Sequence, residues 1–436
     1  MTSHSSVTSR GKVGDPWSRF AMIFSPPPYR VGREFLFYTL TSFAFQASRF
    51  GVYLIGASLL GPGAYGVWVS LLLLSSYLLH LQIGVFNAMG REIPLFKGRG
   101  EWVAVDKIRR AGFGFAVVSS LLAGAALVIL GPFVLSMPWF KVELLLMALY
   151  TSVQQLFSFT VFRLKAEARF MLLSFQQLAL ALIMPVATIG LTKRLNLAGF
   201  ILGLAFSFGL IVLATVAFRY LDCRVSFEWP ILSRLVAIGV PIYSSGLVFS
   251  LFMTVDQWVV AKLFGQVSLG YYGFAVNVFS AMMLVVYIVA DYFYPRMAEA
   301  YGRNGNYSQV TRLALRQSHL TALLSLPIAT VLTAFVSEFV TIYMRAYLPA
   351  VDIVRIFAIK MVFLALVTGH SNLLLIVGKE RLYLLTWVGA LMMNVAFTLL
   401  FARWELKGVA FGTVLATLCY VVTVWWISKR VIRYDA

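Results

Sequence analysis

The chain has 436 residues, of which 60% are hydrophobic and only 12% charged; 36 Lys and Arg face 17 Asp and Glu for a net charge of +19. With a mean hydropathy of +0.85, it lies far outside the range of soluble globular domains and reads as an integral membrane protein. Two cysteines, Cys223 and Cys419, exclude a disulfide framework.

An apolar stretch of about 20 residues is enough to cross the hydrocarbon core. Twelve are found: 35–58, 65–88, 111–135, 142–162, 171–192, 197–219, 237–261, 268–294, 314–336, 353–377, 382–402 and 408–428. The expected fold is all-α, with about 12 transmembrane helices in two parallel six-helix lobes. The predicted divisions are a cytoplasmic segment 1–34, lobes at 35–220 and 235–430, an inter-lobe linker 221–234, and a cytoplasmic tail 431–436.

Residues 1–34 are rich in Ser and Arg and contain Pro26-Pro27-Pro28, without the short apolar core and cleavage site of a secretory signal, so the first span is expected to be retained. That span carries Arg49 near its middle, where inserting an arginine costs about 2.5–3.5 kcal/mol. After it comes Leu60-Gly61-Pro62-Gly63-Ala64-Tyr65-Gly66, which returns 204 residues later as Phe264 to Gly270. Gly98-Arg99 returns as Gly302-Arg303 at the same offset, and Arg194 to Gly199 returns as Arg403 to Gly408 at an offset of 209. A duplicated membrane domain is an architecture of many secondary transporters.

The second and eighth spans end in Asn87 to Glu92 and Asp291 to Arg296, with Asn87 and Asp291 equivalent in the repeat. These residues are either an inner gate between the halves or helix caps with an Arg91–Glu92 surface network. Glu101 to Arg110 reads either as a basic interfacial linker or as an amphipathic interfacial helix with Trp102, Val105 and Ile108 against lipid. Gly199-x-x-x-Gly203 and Gly408-x-x-x-Gly412 are expected to let helices approach closely. Pro185, Pro241 and Pro327 are expected to kink their spans. His80 and His370 share no ligand spacing with Cys or carboxylates and read as hydrogen-bonded interior histidines. No metal site or cofactor is implied.

Placing the amino terminus inside puts 26 Lys and Arg in the inner loops and seven in the outer ones, namely Lys141, Lys193, Arg194, Lys262, Arg345, Arg403 and Lys407. The positive-inside rule then accounts for the basic charge, with both termini cytoplasmic and no nucleic-acid partner. No loop is long enough for a separate catalytic domain, which argues against an enzyme. The charges within or at the ends of spans are Arg49, Asp256, Lys262, Arg355 and Lys360. In one reading Arg49, Lys360, Arg355 and Lys262 bind an anionic substrate group in a cavity between the halves. In the other, Asp256 pairs with one of these cations to lock helices, while Arg355 and Lys262 reach to the outer interface.

Leu60 to Trp68, Asn87 to Glu92, Gly239-Val240-Pro241, Asp256 to Gly265, Tyr294-Pro295-Arg296, Gly378 to Arg381 and Leu406 to Ala410, in that order, resemble the polysaccharide-transporter family. These are the O-antigen type lipid-linked oligosaccharide flippases of the multidrug/oligosaccharidyl-lipid/polysaccharide exporter superfamily. The resemblance covers both halves. It departs at Gln82-Ile83-Gly84, where the family often has an acidic residue before Leu-Gly, putting in doubt any coupling role of that acid. The resemblance implies movement of a polyprenyl-diphosphate-linked glycan across a bacterial inner membrane, with membrane lipid, a coupling ion and a glycan polymerase or ligase as partners. The alternatives are a cation-coupled multidrug exporter of the same superfamily and a membrane glycosyltransferase or polymerase. The exporter is expected to need an intramembrane carboxylate, whereas the first span has only Glu34 at its start. The enzyme needs acidic or arginine-rich groups in a sizeable outer loop, and Gly61 to Gly66 contains no acid.

Overall fold

A computed structural model describes residues 33–135, 141–218, 224–304 and 307–435. Residues 1–32 of the amino-terminal segment, Cys223 and the last residue of the tail lie outside them. Among the described residues all regular structure is helical. In chain order the α-helices are α1 (Arg33–Leu78), α2 (Val85–Gly98), α3 (Trp102–Leu135), α4 (Val142–Ala166) and α5 (Phe170–Ala217). They continue with α6 (Trp229–Asn304), α7 (Tyr307–Tyr343), α8 (Val351–Ile376), α9 (Glu380–Phe401) and α10 (Glu405–Asp435).

Three of these helices are too long for a single crossing and are broken inside. The breaks fall at Gly61 (φ 70°, ψ 169°) in α1, Asn196 (φ 51°, ψ −131°) in α5 and Gly265 (φ 78°, ψ −175°) in α6. Gly61 and Gly265 are the repeat's equivalent glycines, and both take a left-handed φ that a Cβ would penalise. Pro62 follows Gly61 and starts the next limb, where a missing N–H costs nothing. Asn196 matches Glu405 at the 209 offset, and Glu405 has nearly the same backbone (φ 57°, ψ −148°). The duplication seen in sequence is therefore repeated in the main chain, down to the conformation of its turns.

α1 packs against α5 and α6, α4 against α3 and α5, and α10 against α8 and α9. In lipid, helix association depends on close packing and polar contacts rather than on escape from water. Buried polar pairs do supply such contacts: Ser75 with Thr151 at 2.7 Å, Gln176 with Thr215 at 2.8 Å, and Asn394 with the Phe252 carbonyl at 2.9 Å. The GxxxG glycines press on the limb before their own turn, Gly199 on Leu191 and Gly203 on Thr188, Gly408 on Phe401 and Gly412 on Phe397. Among the described residues, seven helical stretches are long and apolar enough to cross a membrane. The chain is a multi-pass membrane protein.

Two expectations are corrected. Residues 102–110 are the first turns of α3 rather than a separate interfacial helix, and Val105 and Ile108 are buried against Phe86 and Met89 of α2. Only Trp102 of that apolar trio is exposed. Glu92 is buried and pairs with Arg234 at 2.6 Å instead of joining Arg91, which is exposed. Helix α6 begins at Trp229, within the segment 221–234 assigned to the inter-lobe linker.

Candidate functional site

A cavity of about 300 Å³ lies between the two limbs of α1 and the two limbs of α6, with α4 closing one side. Its end wall is the turn region. There Gly66 packs on the main chain of Gln266, and Gly270 packs on that of Pro62. Pro62 and Gln266 are themselves related by the 204 offset, as are Gly66 and Gly270, so the two contacts are one contact made twice. At the other end of α1, Gly84 and Gly239 abut main chain to main chain. Beside them Tyr77 hydrogen-bonds Thr254, and His80 hydrogen-bonds Tyr243 and Ser250.

Arg49 lines the cavity from the first limb of α1. It is half-buried, and among the described residues it makes no ion pair and no hydrogen bond. Around it stand polar groups that also lack partners: the amides of Gln46, Gln154 and Asn277 and the indole Nε1 of Trp68 each hold a buried atom without a hydrogen bond. Buried polar groups are nearly always paired, and several unpaired ones converging on one cavity mark a place for ligand or water. Tyr53, Trp68 and Tyr150 add aromatic walls, held in place by ring contacts of Trp68 with Tyr150 at 5.9 Å and with Phe200 at 5.1 Å. The lining contains no carboxylate. It offers one cation, several neutral donors and acceptors, and flat rings.

The other predicted binding residues are not gathered here. Lys360 is only 2% exposed and is not part of the lining, with its Nζ 5.0–5.6 Å from the ring centres of Phe252, Phe279 and Phe357. The negative charge that faces it is Asp256, 1% exposed, which accepts from the Tyr272 hydroxyl at 2.8 Å, the Gln257 backbone N–H at 2.9 Å and the Thr413 hydroxyl at 3.2 Å. Arg355 is at the start of α8, 3.4 Å from both the Thr333 carbonyl and Asp352, and Asp352 also pairs with Lys407 at 2.6 Å. Lys262 is exposed and donates to the Val134 carbonyl at 3.1 Å. Neither belongs to the cavity lining.

At the opposite end of the bundle, Asn87 has a buried unpaired amide oxygen, and Asp291 is exposed and faces the charge of Lys165 from the first half. His370 is buried, with Nδ1 3.0 Å from the Ser428 hydroxyl. The sequence reading missed Gln46, Gln154, Asn277, Tyr53 and Trp68. Their signal, neutral polar or aromatic side chains within apolar spans, is too common to single them out.

A family model described as "Polysaccharide biosynthesis protein" matches residues 55–352, well over half of the chain. The chain belongs to this family. Among solved structures, it is similar to the lipid II flippase MurJ in an inward closed conformation, with 13% identity, a TM-score of 0.70, and coverage of 90% of this chain and 87% of that one. It is also similar to an inward-facing multidrug resistance MATE family transporter of the MOP superfamily, at 17% identity and TM-score 0.64, covering 91% and 94%. The MATE transporter VcmN of Vibrio cholerae gives 15% identity and 0.64, covering 92% and 97%. No curated protein matches by sequence. The fold is that of the MOP-superfamily transporters.

Proposed function

We propose that the chain is a flippase that moves a polyprenyl-diphosphate-linked oligosaccharide from the cytoplasmic to the outer leaflet of a bacterial inner membrane, by alternating access, for cell-surface polysaccharide. The observation that carries this reading is the cavity itself: Arg49, without a partner among the described residues, stands in a lining without carboxylates, among unpaired amides and aromatic faces. A guanidinium fork suits a diphosphate, and amides with flat rings suit a glycan. A lining with a cation and no acid suits a cationic drug poorly, which favours the flippase over the multidrug exporter whose fold it shares.

The same reading holds the bundle to be two six-helix lobes with both termini cytoplasmic. A 63-residue apolar stretch such as Leu36–Gly98 would be roughly 95 Å long if straight, about three times the hydrocarbon thickness. Taking the 14-residue α2 together with the second limb of α1, and dividing α1, α5 and α6 at Gly61, Asn196 and Gly265, gives twelve spans, six on each side of the α5–α6 connection. The duplicated turns support two lobes related by an axis along the membrane normal.

Deleting the gene tests the proposal. Lipid-linked oligosaccharide is expected to build up on the cytoplasmic leaflet while surface polysaccharide is lost. Drug sensitivity without such build-up would establish the exporter reading instead.

A further inference from the structure

A furrow of about 340 Å³ is cut into the outside of the second half of the chain, between α7 and α10 with α8 as its floor. Cross-contacts set the three helices at one level. Gly369 of α8 packs on the Ala314 main chain of α7 and donates its N–H to Ser318 Oγ at 3.2 Å, while His370 of α8 meets Ser428 of α10. Val422 and Trp425 on the rim are 55% and 46% exposed, so the furrow opens toward lipid rather than toward the space between the halves.

Leu366, Val421 and Val422 make one part of the furrow apolar, but the part nearest the end of α8 and the start of α7 is basic. There His319, exposed on α7, and His370, 6% exposed, both line it. Lys429 Nζ lies 3.5 Å from the centre of the Trp425 ring, and Lys429 and His319 are the titratable groups that His370 faces. Arg316 and Arg312, exposed and without an ion pair among the described residues, continue the His319 face of α7 at helical spacing. The carboxylates of these helices, Glu338, Asp352 and Glu405, lie at the far end, apart from Asp435 at the last position of α10. A concavity lined by one sign of charge gathers counter-ions. His370 adds a second requirement. Ser428 donates its only proton to the Trp425 carbonyl at 2.9 Å, so at 3.0 Å it accepts from His370 Nδ1–H. Nε2 is then an acceptor, and it has no partner among the described residues. A phosphate offers it only further acceptors, whereas a hydroxyl satisfies it.

We propose that this furrow binds an anionic phospholipid whose phosphate carries a glycerol head, as in phosphatidylglycerol. The phosphate lies against His319 and Lys429, a head-group hydroxyl donates to His370 Nε2, and an acyl chain runs along Leu366 and Val422. Basic pockets between membrane helices attract anionic heads in this way. Phosphatidylethanolamine brings an ammonium of its own into a basic site, and phosphatidic acid lacks the hydroxyl. A soluble phosphate makes no use of the apolar wall. In the proposed topology this end faces the cytoplasmic leaflet. α7 and α10 both pack on α8, so a lipid lodged between them joins the two and stabilises this half of the bundle, as any ligand of the folded state does.

The test gives the delipidated full-length protein in detergent one of four compounds: dioleoyl phosphatidylglycerol, phosphatidic acid, phosphatidylethanolamine or glycerol 3-phosphate. Melting temperature and adducts in native mass spectrometry are read. Phosphatidylglycerol is expected to raise the melting temperature most and to leave adducts several-fold more often than the other three. Combining His319→Ala with Lys429→Ala is expected to bring it down to the level of phosphatidylethanolamine, and His370→Phe to that of phosphatidic acid. The control is Arg430→Ala, which removes a cation at the same end that lies over Trp426, outside the furrow; it is expected to leave the preference unchanged. No preference over phosphatidylethanolamine, a preference that survives the His319 and Lys429 changes, or an equal loss in the control would each overturn the site. Phosphatidic acid matching phosphatidylglycerol on the parent protein would overturn the hydroxyl contact, a comparison that stands even where His370→Phe does not fold. Stabilisation by glycerol 3-phosphate equal to that by the lipid would overturn the lipid in favour of a soluble phosphate. Neither glycan nor transport enters the readout, so the outcome is independent of the proposed function.

Discussion

Gly66 lies so close to Gln266 that a Cβ on it would overlap the Gln266 carbonyl, and the repeat makes the same contact again between Gly270 and Pro62. Two side-chain-free surfaces thus close one end of the cavity between the two halves. Gly66→Ala is expected to force these turns apart, at about 1–3 kcal/mol as for other overpacked sites. The check is a lowered melting temperature in detergent together with reduced surface polysaccharide. Gly63→Ala is the control, because a Cβ there meets nothing nearer than a Val267 methyl at 4.0 Å; it is expected to change neither.

Arg49 has no partner of its own among the described residues, so removing it leaves no opposite charge stranded. Arg49→Ala is therefore expected to insert and melt like the parent while abolishing surface glycan export. Arg49→Lys keeps the charge and loses the fork, and is expected to be intermediate. Full export by the alanine variant, read from surface polysaccharide, would remove Arg49 from the substrate path.

What sequence could and could not convey follows from the solvent. Hydropathy sets the depth of a residue in the bilayer, which is why the spans, the repeat and its turns at Gly61 and Gly265 were legible. It does not set which way a helix faces when all sides are apolar. Lys360 lies within an apolar helix, yet its side chain turns into the rings of Phe252, Phe279 and Phe357 rather than into the cavity. Gln46, Gln154 and Asn277 converge from three helices distant in sequence, and no spacing links them. Val105 and Ile108 have the spacing of a lipid-facing stripe, but α2 covers them with protein. Periodicity marks an apolar face and is silent on whether lipid or another helix meets it.

Glu167, at the connection between α4 and α5, gathers three arginines: Arg109 at 2.8 Å, Arg163 at 3.1 Å and Arg169 at 3.1 Å. Glu167 and Arg163 are both buried, whereas half of the Arg169 side chain is exposed. Glu167→Gln leaves a buried guanidinium without its counter-charge, and a destabilisation of about 3–5 kcal/mol is expected. Arg169→Ala removes only a solvent-screened member, with an expected cost of about 0–1 kcal/mol. Thermal melts of the two variants in detergent check the contrast.

Asp256 and Lys360 offer the sharpest separation between structural and substrate roles. Both are almost wholly buried and each is the charge that the other faces, although hydroxyls and rings fill the space around them. If the pair holds its half of the bundle together, losing either member strands a charge in a low-dielectric interior, at about 3–5 kcal/mol. Losing both does not. Lys360→Met and Asp256→Asn are each expected to lower the melting temperature and, through lost protein, export. The double variant is expected to recover most of both, a non-additivity that reports direct coupling. A substrate-binding lysine gives the opposite pattern: Lys360→Met would melt normally yet fail to export, and Asp256→Asn would not rescue it. Melting and export measured on the same four proteins decide between the two.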